Sequence, residues 1–170
     1  MNPSYVRLQA VEKVAMPRFS AWLNLPELEP PRRVSWDRAV DTATEDGAWR
    51  GAAFYVHESD GWTVFEDMTG YLGTKSTHDW PRLAAQDALV FAGYNDAIPY
   101  AELIVVLHGQ VVRDFRDDEQ DPSQNVNKGR LDFEDASPID CWAEAASFVD
   151  GDDLAVLPEQ GVLAMFHIKA

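Results

Sequence analysis

Three stretches have residue types that would do chemistry at the right spacing: Gly70-Tyr71-Leu72-Gly73-Thr74-Lys75-Ser76, the acidic run of Asp117, Asp118, Glu119 and Asp121, and the histidines His57, His78, His108 and His167. A phosphate loop needs Gly and Lys adjacent after four intervening residues, so that successive backbone N–H groups cradle the phosphate while the lysine reaches it. Here Thr74 separates Gly73 from Lys75, and the stretch reads as a glycine turn. The acidic run would offer hard oxygen ligands to calcium, but it lacks the turn glycine and the distant bidentate glutamate of an EF-hand loop. The histidines lack the i, i+4 pairing of a helical zinc site. No metal site and no cofactor is expected.

Covalent and acid–base catalysis find no better footing. No serine stands in a Gly-x-Ser-x-Gly elbow, and Cys141, inside an apolar helical run beside Trp142, reads as a small buried hydrophobe. Glu66 and Asp67 are adjacent in a strand, so they point to opposite faces and cannot converge. No catalytic residue is assigned. Trp62, Trp80, Tyr94 and Tyr100 would stack on bases, but single-stranded nucleic acid needs a basic groove.

What remains is recognition. A first acidic cluster comprises Asp117, Asp118, Glu119 and Asp121, a second Asp132, Glu134 and Asp135, and a third Asp150, Asp152 and Asp153, while Asn125 and Asn127 add directed hydrogen bonds. Brought together by the fold, these carboxylates would focus a negative field on a basic protein partner. A solvated acidic rim is the competing reading of the same residues. The alternative function is a small-ligand binder or enzyme with its pocket at Tyr94, Asn95, Asp96 and Tyr100, in the turn GYNDAIPY.

Composition bounds the partners. The chain has 170 residues, which suits one domain over 1–170 and a core closed without staples. Its 29 acidic against 14 basic residues give a formal charge of -15, which repels phosphate backbones and anionic headgroups, so neither nucleic acid nor membrane is an expected partner. Cys141 stands alone, which rules out an internal disulfide and suits a reducing compartment. No leader-like apolar stretch follows the N-terminus, and a cytoplasmic location is expected.

The elements that must position these residues spell an α+β fold with a largely antiparallel sheet, a meander with hairpins at 51–68 and 102–115, packed by about two or three helices. Residues 88–115 are the most apolar part of the chain and are expected at the sheet's centre, with 162–168 as a marginal strand. Asp60-Gly61 and His108-Gly109 supply the hairpin turns. Helices are expected over 17–25, 77–86 and 138–149, the last with Ser137 as cap and Pro138 at its first position. Residues 1–33 are the least legible part: spacing leaves Tyr5–Leu8 open between helix and strand, and 26–33 reads as an extended connection. A strand is expected over 34–44 and a surface loop over 117–135.

The run Phe91-Ala92-Gly93-Tyr94-Asn95-Asp96 leading into LIVVLHGQVV, in an acidic chain of this size, resembles the immunity proteins of bacterial polymorphic toxin systems, loosely the SUKH superfamily. The resemblance covers about residues 62–150. It implies binding and neutralisation of a cognate toxin rather than catalysis.

Overall fold

Tyr5–Leu8, which fits helix and strand spacing alike, lies in a strand, and that strand takes the middle place in the sheet. The computed structural model describes residues 3–151 and 157–168. The elements run β1 (Ser4–Leu8), α1 (Glu12–Leu23), β2 (Glu27–Val34), α2 (Trp36–Ala43), β3 (Thr44–Glu45), β4 (Ala48–Trp49), β5 (Ala52–Ser59), β6 (Trp62–Asp67), α3 (Trp80–Ala84), β7 (Leu89–Asn95), β8 (Tyr100–Leu107), β9 (Gln110–Asp118), β10 (Val126–Lys128), α4 (Trp142–Asp150) and β11 (Gly161–Phe166). Nine of the strands form one sheet in the order β10-β9-β8-β7-β1-β6-β5-β11-β2. Every pairing is antiparallel. The fold is α+β, and both expected hairpins are present, turning at Asp60-Gly61 and His108-Gly109 with positive φ at all four residues.

Several elements differ from the sequence reading, each for a local reason. The sheet centres on β1 between β6 and β7, so the apolar stretch from 89 to 115 makes one flank of it. Residues 36–43 are helical because Trp36, Ala39, Val40 and Ala43 recur at 3.6-residue spacing, and Ser35 Oγ accepts the Arg38 N–H as a cap. Residues 27–34 pair with β11 at the sheet edge, and the register slips between Glu29 and Arg32, so that Pro30 and Pro31, which have no N–H to give the ladder, fall at a bulge. Helix α1 begins at Glu12 and carries Pro17 inside it. Over 77–86 the chain makes a single 3₁₀ turn and then the short α3, which stops at Ala85 with φ 51°.

The largest departure concerns 117–149. Strand β9 extends through Asp117 and Asp118, paired with Ala101 and Tyr100, and β10 returns along it. Helix α4 starts at Trp142, not Pro138, because the backbone of Ile139 is committed elsewhere: its N–H donates to Glu134 and its carbonyl accepts from Arg113. A helical first turn there would claim the Ile139 carbonyl for the N–H four residues on, in competition with the Arg113 bond.

Helices cover both faces. On one, α1 and α3 pack through Phe19, Leu23, Trp80 and Leu83 onto Val6, Phe54, Phe65, Phe91 and Ile104. Phe19 stacks on Phe65 at 4.0 Å between ring centroids and Trp80 on Phe91 at 4.3 Å. Burial of side chains of this size contributes about 2–3 kcal/mol each. The opposite face carries two separate clusters, one under α4 (Val64, Val90, Leu103, Val105, Phe115) and one under α2 (Ala53, Tyr55, Leu163, Met165). The contacts of α1 and α3 reach no further than Phe91 and Ile104 along β7 and β8, and the strand ends beyond are left open.

Candidate functional site

Two regions gather polar side chains, and both lie on the β7–β10 flank. The first is a cleft of about 540 Å³ over those open strand ends, walled by Ser4, Asp67, Phe91, Asn95, Tyr100, Glu102 and Asp118. Strand alternation builds it: Tyr100 and Glu102 are two apart on β8 and face the same way, and register sets Glu102 opposite Arg116 on β9. Arg116 lies 3.5 Å from Glu102 and its guanidinium sits over the Tyr100 ring. Burial pushes the Glu102 carboxyl above its ordinary range, against the opposing pull of Tyr100 and Arg116. Tyr100 is raised too, by burial first and then by the Glu102 charge.

Asp67 shares the cleft but has another task. Its Oδ1 accepts from the backbone N–H groups of Thr69, Gly70 and Tyr71, and its Oδ2 accepts from Leu72 at 2.8 Å. Burial raises its pKa in spite of these four bonds. Both of its oxygens are thus engaged in holding the 69–72 turn. Glu66, its neighbour, faces the other side of the sheet, 3.6 Å from His57.

The expected pocket residues therefore divide. Tyr100 lines the cleft, and Tyr94 and Asn95 touch it. The Tyr94 hydroxyl, however, donates to Asp150 on the opposite face at 2.8 Å, and Asn95 Oδ1 accepts from Ala97 and Ile98 to shape the turn. Asp96 is exposed in that turn and does not line the cleft. Glu102 was missed; a lone glutamate in an otherwise apolar strand was its signal.

The second region is the acidic edge beyond β9. At its centre Arg113 and Glu134 form an ion pair with both side chains at 0% exposure, Nε to Oε2 at 2.9 Å and Nη2 to Oε1 at 3.0 Å. Arg113 also donates to the Asn127 side chain and to the carbonyls of Lys128 and Ile139, while Glu134 accepts from the backbone of Leu131 and Ile139. Burial alone would raise the Glu134 pKa, but the Arg113 and backbone hydrogen bonds outweigh it and hold the carboxyl below its ordinary range. Every polar atom of the pair has a partner, which is the condition under which such a pair persists.

The residues expected to meet a partner thus separate into scaffold and surface. Glu134 is buried, a correction to its expected place on the binding face. Asn127 bridges Arg113 and Asp140. Asp117 accepts from Asn125 Nδ2 and from the first N–H of α4, that of Trp142 at 2.7 Å, so it caps that helix. Asp118 Oδ1 accepts from Gln120 and Asp121 N–H, Asn125 Oδ1 accepts from Asp118 N–H, and Glu119 accepts from the Trp142 indole. Glu119, Asp121, Asp132 and Asp135 are exposed. Asp150 ends α4, and Asp152 and Asp153 lie outside the described residues. No group of three or more His, Cys, Asp or Glu with metal-binding geometry occurs among the described residues, and no helix among them is long and apolar enough to cross a membrane. Comparison with known proteins returned no matching family model, no matching curated protein and no matching solved structure.

Proposed function

We propose that the chain is a binding protein whose acidic edge recognises and occludes a basic protein partner, in the manner of an immunity protein held against its toxin. One observation carries this reading. The carboxylates the fold needs, Asp117 and Glu134, are satisfied internally, and of the nearby cations Arg116 and Arg130 are already paired with Glu102 and with Glu134 and Asp140, while Lys128 is exposed on β10. The charge left over, at Glu119, Asp121, Asp132 and Asp135, points outward from a fixed backbone. A field of one sign on a preorganised surface steers an oppositely charged partner and speeds its encounter. Co-expression with the product of the adjacent reading frame tests it: a co-purifying complex that protects against that product's activity is expected, and failure to bind or protect sinks the reading.

The cleft supports a second reading, a small-ligand site at Tyr100 and Glu102. A cleft of about 540 Å³ with aromatic walls and a carboxylate of raised pKa suits a compact ligand with a cationic or hydrogen-bond-donating group.

A further inference from the structure

Glu134 lies in a single 3₁₀ turn, Asp132–Asp135, and its side chain is drawn into the protein by Arg113. Successive side chains in such a turn point about 120° apart, so seating Glu134 inward turns its neighbours out. Phe133 is 44% exposed as a result, and Asp132 and Asp135 flank it in solvent. Its ring lies parallel to that of Phe148 on α4, with centroids 5.5 Å apart. Between this turn and α4 runs a groove of about 460 Å³ walled by Phe133, Pro138, Ile139 and Phe148 and rimmed by Ser137, Ser147 and Glu144. An aromatic held in water on a turn fixed by a buried ion pair is preorganised for contact, since little side-chain entropy is left to lose on binding. Its surroundings select the occupant. Glu144 lines the groove itself, and Asp132 and Asp135, exposed on the same turn as Phe133 and in no salt bridge among the described residues, add negative charge beside it.

We infer that this groove is the anchor of the acidic edge, taking a bulky apolar or aromatic side chain from a Lys- or Arg-rich segment of the protein partner. The inference rests on the recognition reading above and adds to it a defined pocket. Charge draws the segment in; the phenylalanines and Pro138 hold it.

The test uses the full chain, isotopically labelled, titrated with a short Lys/Arg-rich peptide carrying one tryptophan and with the same peptide carrying alanine instead. The tryptophan peptide is expected to shift the amides of Phe133, Ile139, Ser147 and Phe148 and to bind about tenfold tighter than its alanine counterpart. Phe133→Ser is expected to abolish that difference with only a small fall in melting temperature, from the lost stacking on Phe148, and Phe148→Ala, a second variant, is expected to abolish it too; a folded Phe133→Ser that keeps the full difference overturns the inference. Equal affinity for the two peptides, shifts confined to the cleft or to 117–121, or no shift with either peptide overturns the inference. The adjacent-frame product separates the two levels: if it binds wild type and Phe133→Ser equally, the groove is refuted and the acidic-edge reading stands.

Discussion

The cleft and the acidic edge lie on the same flank of one sheet and are both rich in carboxylates, yet they treat charge in opposite ways. In the cleft, Glu102 is largely buried with an arginine at 3.5 Å, and its carboxyl is raised by that partial burial. At the edge, Glu134 is more completely buried, but two hydrogen bonds from Arg113 and two from the backbone hold it ionised. Burial does not by itself decide whether a carboxylate strains a fold or supports it; the charge of the donors aimed at it counts as well, since four neutral backbone donors leave Asp67 raised whereas Arg113 together with two backbone donors holds Glu134 low. The cleft therefore holds a carboxylate poised to gain by taking a proton or a cation. The edge holds one whose work is to fix the backbone that presents other charges.

The comparison breaks most sharply at the ion pair. Arg113→Ala leaves Glu134 buried and uncompensated, and a loss of about 3–5 kcal/mol is expected in chemical denaturation. A loss near zero would show that the edge is not built on this pair. Gly129, just after β10, should be nearly as sensitive, since it has φ +74° and a Cβ there would stand 2.0 Å from the Val112 carbonyl oxygen. Gly129→Ala is expected to destabilise by more than about 1 kcal/mol, whereas a neutral result would mean that the turn can move away.

The pH dependence of stability separates the two carboxylates by sign. Glu134, with its pKa lowered on folding, gives stability that is present above the unfolded carboxylate range and is lost as pH falls through its lower folded value. Glu102, with its pKa raised, gives a contribution that is complete at acid pH and is lost as pH rises through its folded value. Glu102→Gln is therefore expected to raise the melting temperature at neutral pH, with the advantage shrinking on acidification. A lower melting temperature for this variant at neutral pH would show that the Arg116 contact outweighs burial. The smallest effects belong to the outward charges: Asp132→Asn and Asp135→Asn are expected to change stability by no more than about 0.5 kcal/mol.

Much of this arrangement was legible in the sequence, and what was not has a common cause. The hairpins at Asp60-Gly61 and His108-Gly109 were readable because turn chemistry is local. The acidic edge was readable as composition, and Tyr100 as part of a pocket. The central place of β1 was not, because five residues fix neither their partners nor their periodicity. Nor was the inward turn of Glu134, set by an arginine on β9 that meets it only after β10 has folded back. The same contact moved the start of α4 past Pro138, overriding a cap and a proline that were locally favourable. Local signals failed where a long-range ion pair claimed the backbone.

The most direct test of the account measures association of the adjacent-frame product with the wild type, with an edge variant carrying Asp132→Lys and Asp135→Lys, and with the cleft variant Glu102→Gln, across a range of salt concentrations. The account predicts that the edge variant associates at least about tenfold more slowly at low salt and loses most of the salt dependence, while the cleft variant matches the wild type. Loss of binding in the cleft variant with full, salt-sensitive association in the edge variant would contradict it.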